Sequence, residues 1–191
     1  MTTHADAALQ VSGVTMLTSA SVPDLTAQRV MRTALGQYAT GVAVATTLAS
    51  DGCPVGLTVN SFSSLSLDPP LVLWCLSLGS ASLSAFTAAD YFAINVLAAS
   101  QERLARMFAA RAPDRFADLI WHCGARGMPL LHGRQCAYIC RRTEQIHRGD
   151  HLIIIGQLEE YEVVAGRAPL IFYDGRFHAQ LPESTGLRAD I

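Results

Sequence analysis

Several stretches of this chain are alternating, β-branched or continuously apolar over strand lengths, and stretches with helical spacing are few and short. Residues 25–38 place Val30, Ala34, Leu35 and Tyr38 near one face of a helix, with Asp24 as an acidic cap or first-turn residue and Gly41 as the stop. Residues 42–47 turn β-branched and alternating. Asp51-Gly52 marks a tight turn, and residues 55–60 read as the returning partner strand. Residues 61–68 predict a polar loop with Phe62, Leu65 and Leu67 directed inward. Pro69-Pro70 imposes an extended start on residues 71–76. That run is apolar nearly throughout, Trp74 and Cys75 included, as expected when both strand faces are covered.

Gly79-Ser80 closes the run and opens a short helix over residues 81–88, with Leu83 and Phe86 on its buried side. Residues 91–97 predict a strand. Ser100 predicts the N-cap of a helix over 101–110, made two-faced by Arg103, Leu104, Met107 and Phe108. Residues 113–123 read as irregular or briefly helical and 124–133 as loop. Residues 135–146 and 151–164 predict a long hairpin about Arg148-Gly149-Asp150, with alternation visible in Cys136, Tyr138 and Cys140. Within it Leu152, Ile153, Ile154 and Ile155 read as a doubly buried run, and Gly156 marks a bulge or a close backbone approach. A small hairpin, 169–173 and 176–179, turns on Asp174-Gly175.

Strands thus outnumber helices, the helices are short and no βα repeat is present. The pattern predicts a mainly β, antiparallel barrel with a few short peripheral helices. A length of 191 residues suits one domain. Residues 24–181 are expected to form it, between an N-terminal arm, 1–23, and a C-terminal tail, 182–191.

Half of the residues are apolar, which supplies a sizeable core. The excess fits either a subunit interface or an alanine-rich composition. A formal charge of −2 with no arginine-rich block leaves no electrostatic footprint for nucleic acid. All basic residues are arginine, which excludes lysine Schiff-base chemistry and a Walker-type phosphate lysine. Any bound phosphate must be held by arginine, hydroxyls and backbone N–H groups. Five cysteines without framework spacing, and no signal-peptide pattern at the N-terminus, predict a reduced, cytoplasmic chain. The longest apolar run, residues 69–78, is too short to cross a bilayer as a helix.

The densest polar signal is Thr58, Val59, Asn60, Ser61, Phe62, Ser63, Ser64, Leu65 and Ser66, between a strand and the double proline. Its hydroxyls and successive N–H groups can hold the edge of a planar, heteroatom-rich ring, or serve as a serine-rich surface turn. Ser80 and Ser82 open a short helix and offer either a phosphate seat or an ordinary cap. His151, just past the Gly149-Asp150 turn, can donate to a carboxamide, shuttle a proton or bond across the turn. His122, Cys123, His132, Cys136 and Cys140 are zinc-ligand types, but no CxxC occurs, and no metal is expected. No GxSxG elbow supports a serine hydrolase.

Taken together, these residues resemble the flavin reductase-like family, the small NAD(P)H:flavin oxidoreductases that serve two-component monooxygenases. The likeness runs from Gly41-Val42 through residues 58–66, Asp68-Pro69-Pro70, Ser80 and Ser82. It continues through residues 92–97, Gln101, Phe108, Arg115-Phe116, Gly127, Pro129, Cys140, Gly149-Asp150-His151, Gly156, Pro169-Leu170 and Gly175. The resemblance implies an FMN-binding split β-barrel of Greek-key strands, usually a homodimer. It implies a flavin-binding set of Thr58, Val59, Asn60, Ser61, Phe62, Ser63, Ser64 and Leu65. Ser80 and Ser82 would belong to its phosphate end, His151 would lie near the nicotinamide as the catalytic positioning residue, and Phe177 in the segment that closes over the site. Leu78-Gly79 stands where family members often carry a basic or polar pair, which leaves FMN and FAD both open.

The implied activity is reduction of FMN or FAD by NADH or NADPH, with nicotinamide C4 about 3–3.5 Å from flavin N5. Reduced flavin then passes to a separate oxygenase. The alternative is a flavin-binding or electron-carrier protein of the same barrel without enzymatic activity. A split-barrel oxidase acting on a phosphorylated amine fits poorly with a chain that has no lysine.

Overall fold

The computed structural model of the chain describes residues 25–110 and 115–180. The arm expected at 1–23 and the tail at 182–191 lie outside them. By internal packing the chain divides after Gly36. The first unit contributes one described helix, α1 (Leu25–Leu35), whose last turn closes with the Gly36 N–H on the Arg32 carbonyl. It ends earlier than expected, so Tyr38 and Gly41 lie beyond it.

The second unit is built on seven antiparallel strands: β2 (Ala43–Leu48), β3 (Pro54–Val59), β4 (Ser63–Leu67), β5 (Pro70–Ser77), β6 (Tyr91–Val96), β9 (Cys136–Arg148) and β10 (His151–Val163). Their spatial order is β3-β2-β6-β9-β10-β5-β4. The two edge strands, β3 and β4, follow one another in the chain with only Asn60, Ser61 and Phe62 between them. A flat seven-stranded sheet would hold its edges about 29 Å apart, six spacings of about 4.8 Å. The step from Val59 to Ser63 reaches no more than about 14 Å. The sheet must therefore curl until its ends nearly meet. It is a barrel split between β3 and β4, with the swapped order of a Greek key.

Packing bears this out. Ala43 and Ala45 of β2, Val59 of β3, Val72, Trp74 and Leu76 of β5, Phe92 and Ile94 of β6, Cys140 of β9, and Leu152 and Ile154 of β10 form one buried cluster inside the curl. The Trp74 ring meets Phe86 and Phe92 edge-on, with centroids 5.0 and 5.8 Å away. Helix α2 (Leu83–Ala88) supplies Phe86. The hairpin turns obey local chemistry: Gly52 adopts φ +81°, and the Asp51 carboxylate accepts the Cys53 N–H at 2.9 Å. That bond holds the Asp51 carboxyl below its ordinary pKa.

Outside the curl, α3 (Glu102–Ala109) packs Ala105 and Phe108 against Val42, Val44, Leu97, Phe116 and Leu170. A three-stranded sheet, β1 (Thr40–Gly41), β11 (Ile171–Tyr173) and β12 (Arg176–His178), adds Phe172 and Phe177 to this second cluster. A third cluster joins Ala93, Met128, Leu130, Ala137 and Ile139.

Several local expectations give way to tertiary packing. Residues 124–133 are not loop throughout: β7 (Trp121–Cys123) and β8 (Pro129–Leu131) form a hairpin around a 3₁₀ turn, Ala125–Gly127. Leu130 and Leu131 are fully buried there. Asn95, completely buried, pins this hairpin to the barrel. Its amide donates to the Val44 and Pro129 carbonyls and to Thr46 Oγ1, and its Oδ1 accepts the Leu131 N–H at 2.9 Å. Ser100 is not the cap of α3. A 3₁₀ turn (Ala99–Gln101) precedes that helix, and the Gln101 Oε1 accepts the Ala98 N–H at 3.0 Å. The predicted polar loop is largely strand β4, and as an edge strand it leaves Leu65 half exposed and Leu67 92% exposed rather than inward. Helix α2 starts two residues late. The runs in β5 and β10 also alternate instead of being covered on both faces: Val72, Trp74, Leu76, Leu152 and Ile154 are buried, whereas Leu71, Leu73, Cys75, Ile153 and Ile155 are half-buried.

The expected bulge at Gly156 is present, with a register shift between Ile155 and Gly156. A Cβ at Gly156 would stand 2.5 Å from Phe92 Cζ and 3.0 Å from Cys140 Cβ. Gly156→Ala is expected to cost about 1–3 kcal/mol through overpacking, read as a lower midpoint in urea denaturation; an unchanged midpoint would refute the close fit. Burial, with Glu159 adding to it, pushes the Cys140 thiol up to about 12. Iodoacetamide at pH 8 is therefore expected to label the exposed Cys53 and Cys123 while leaving Cys140 unmodified until denaturant is added, as peptide mass mapping would show. Early labelling of Cys140 would contradict the packing.

Candidate functional site

The segment that closes the split carries the serine-rich signal, and the structure sorts its side chains by task. The Thr58 hydroxyl donates to the Ala105 carbonyl at 2.6 Å, tying the end of β3 to α3. Val59 is buried in the barrel cluster. Asn60 is exposed. Ser61 Oγ accepts the Cys75 N–H at 2.9 Å and lies 3.4 Å from the Cys75 carbonyl, so a side chain continues the β4–β5 ladder beyond the strand. Phe62 turns to the barrel side and stacks on Tyr138, with centroids 5.4 Å apart. Ser63 and Ser64 are exposed, the Ser63 hydroxyl donating to the Ser64 carbonyl at 3.1 Å. Leu65 follows on the edge of β4.

The end of β5 gathers the other predicted groups. Inward positions on β5 are Val72, Trp74 and Leu76, so Leu73, Cys75 and Ser77 face outward. Ser63 pairs with Leu73 and His151 with Ser77, which brings the serine segment and the histidine onto one outer face, a few residues apart along β5. The Leu78 N–H donates to the Asp150 carbonyl at 2.9 Å and locks the turn before His151 to the end of β5. Asp150 Oδ1 lies 2.7 Å from His151 Nδ1, leaving Nε2 as the ring nitrogen available to a ligand. Directly after β5, the Ser80 N–H donates to the Ser77 carbonyl, and Ser80 Oγ accepts the Ser82 N–H at 3.2 Å. Ser82 is buried and makes no side-chain cap on α2.

Ser61, Ser63, Ser77 and His151 thus share one face, organised by β5, with Asn60, Ser64 and Ser80 beside them in the chain. Ser77 escaped the sequence reading because its role follows from register. Phe177 takes part in other contacts: its ring meets Phe172 edge-on and Arg106 lies 5.0 Å above it, within the cluster around α3. Arg115 is an internal strut. It donates to the Gly56 carbonyl at 2.6 Å and the Ala110 carbonyl at 2.5 Å, and burial lowers its pKa. Arg176 lies on β12. Only Arg148 pairs in register with His151.

Chemically, the outer face offers neutral hydroxyls and an imidazole steadied by a carboxylate, with Arg148 alongside. That donor set suits the heteroatom-rich edge of a flavin and the carboxamide of a nicotinamide. Among the described residues, no three His, Cys, Asp or Glu side chains come together as metal ligands, and no helix is long and apolar enough to cross a membrane.

Comparison with known proteins agrees with this chemistry. Residues 35–180 match the flavin reductase like domain. The chain is 42% identical over 156 residues to the FMN reductase (NADH) SmoA of Agrobacterium fabrum, covering 82% of this chain and 88% of that one. It is 39% identical over 158 residues to HsaB, the reductase subunit of a flavin-dependent monooxygenase of Rhodococcus jostii, covering 82% and 80%. The reductase component of the trigonelline monooxygenase of Acinetobacter baylyi is 40% identical over 157 residues, and there the chain, matched over 82% of its own length, spans only half of its relative's. Among solved structures, the NADH:FAD oxidoreductase of Streptomyces globisporus, in complex with NAD and FAD fragments, superposes with a TM-score of 0.78 at 35% identity, covering 86% of this chain and 99% of that one. With the family domain matched over most of its length, the chain belongs to the flavin reductase-like family.

Proposed function

We infer that this protein is an NAD(P)H:flavin oxidoreductase that supplies reduced FMN or FAD to a separate monooxygenase. The observation that carries the reading is the convergence on β5 of the serine segment, His151 and the Ser77–Ser82 turn. The reductase components among its relatives support the same activity and a partner oxygenase.

Flavin supplies the redox chemistry by accepting a hydride from the nicotinamide, and the protein's task is alignment. Asn60, Ser63 and Ser64, with the N–H groups of that segment, would hold the ring edge, while Thr58, Val59, Ser61 and Phe62 keep the segment in place. Ser80 and Ser82 would face the phosphate end and Leu65 would border the seat, while Phe177 packs in the cluster around α3. His151, with Nδ1 held by Asp150, presents Nε2 to the carboxamide. Arg148 supplies a counter-charge for an adenosine phosphate. The half-buried outer row Leu71, Leu73, Cys75, Ile153 and Ile155 supports a homodimer built on this face, and cysteines that form no disulfide among the described residues support a reducing, cytoplasmic setting.

A flavin titration followed by anaerobic addition of NADH and then NADPH tests the reading. A shifted flavin spectrum and bleaching by one or both nucleotides are expected; a flavin bound tightly but never bleached would instead support a carrier. His151→Asn is expected to raise KM for the nucleotide on the order of tenfold with little change in flavin affinity. An equal loss in flavin affinity would move His151 to the flavin seat. Ser61→Ala removes the acceptor of the Cys75 N–H and is expected to weaken flavin binding and cost about 1–3 kcal/mol of stability, measured by titration and urea denaturation.

A further inference from the structure

Behind the serine segment, on its barrel side, lies a cavity of about 330 Å³ lined by Gly41, Val42, Ala43, Val59, Phe62, Val96, Gln135, Cys136 and Tyr138. It is the mouth of the curled sheet. Strand β5 pairs with β10 only from His151 to Gln157, so beyond that point the edge of β10 has no β5 residue beside it. Tyr161 pairs with Tyr138 and Val163 with Cys136, which puts both on the cavity side as an apolar lip. They are 67% and 68% exposed.

The chemistry of the lining is selective. None of the nine residues is charged, so an ion would lose its hydration without compensation. Phe62 and Tyr138 stand nearly parallel, with an interplanar angle of 22°, and a flat ring can extend that stack. Two polar handles remain. The Gln135 amide nitrogen donates to the Arg167 carbonyl, which leaves its carbonyl oxygen as an acceptor. The Tyr138 hydroxyl lies 3.5 Å from Cys136 Sγ. The bond to Cys136 and burial push the Tyr138 phenol up to about 12, so it stays a neutral donor. In size, a cavity of about 150 Å³ accepts a benzene ring, so this one has room for a substituted ring.

We propose that this barrel-mouth cavity binds a small neutral phenol, and that its occupancy is transmitted to the flavin-binding segment through Phe62. Phe62 is the only residue of the 60–62 link that lines the cavity, and it sits between Ser61, anchored to β5, and Ser63, at the start of β4. A ring seated against Phe62 changes the position of that link. The transmission half of the proposal rests on the flavin reading above; the binding half does not.

Calorimetric titration of the full chain with phenol, and with cyclohexanol as a non-aromatic comparator, tests it. Saturable binding of one phenol per chain is expected, with cyclohexanol at least about tenfold weaker. Val96→Phe fills the cavity from a wall not assigned to flavin and is expected to abolish phenol binding while flavin still binds; Ala43→Leu serves if that variant does not fold. FMN titrated at saturating phenol is expected to change in affinity by on the order of fivefold and then reach a plateau. Absence of saturable phenol binding overturns the proposal, and so does an FMN affinity indifferent to phenol. Competition without a plateau overturns it as well, by making the cavity part of the flavin seat. A chain that binds phenol but neither flavin would instead refute the reductase reading.

Discussion

Three residues hold this architecture to its shape. Asn60, Ser61 and Phe62 connect the two edge strands of a seven-stranded sheet, and so short a link permits only a curled sheet. The curl creates an inner face, filled by Trp74, Phe86, Phe92 and their neighbours, and an outer face on which Cys75, Ser77, Ile153 and His151 share one side. Because the link spans the split, one of its sides looks onto the outer face and the other into the barrel mouth. The same chain segment therefore serves a cofactor edge and a lumen wall.

Most of the polar groups in this segment are structural before they are functional. Thr58 is tied to α3 and Ser61 to β5, so their hydroxyls are spent on the backbone. What this leaves for a ligand is Asn60, Ser63, Ser64 and the N–H groups that those anchors hold still. Preorganisation of this kind lowers the ordering cost of binding a planar ring, which matters in a chain that has no lysine to add charge attraction. Asn95 works by the same logic farther away. Its four hydrogen bonds satisfy a fully buried amide and fasten the β7–β8 hairpin to the barrel.

The sequence by itself determined the elements whose signals are local. Alternation in residues 42–47 and 136–140, the strand at 91–97, the turns at Asp51-Gly52, Gly149-Asp150 and Asp174-Gly175, and the bulge at Gly156 all follow from side-chain pattern and backbone chemistry within a few residues. The family pattern, spread from Gly41 to Gly175, was legible for the same reason: it is a string of such local requirements. Only the tertiary structure decided what depends on partners distant in the chain. The β7–β8 hairpin has no strong turn or alternation signal and exists because Leu130 and Leu131 find a core and Asn95 finds their backbone. Ser100 lost its capping place to Gln101, whose longer side chain reaches both the Ala98 N–H and the His132 carbonyl. Leu65 and Leu67 face water because β4 is an edge strand, a fact set by sheet order alone. Register likewise promoted Ser77 and Arg148 to neighbours of His151 and withdrew Arg115 into the frame, since which residues stand opposite one another is fixed by pairing across the sheet and leaves no mark on composition or spacing.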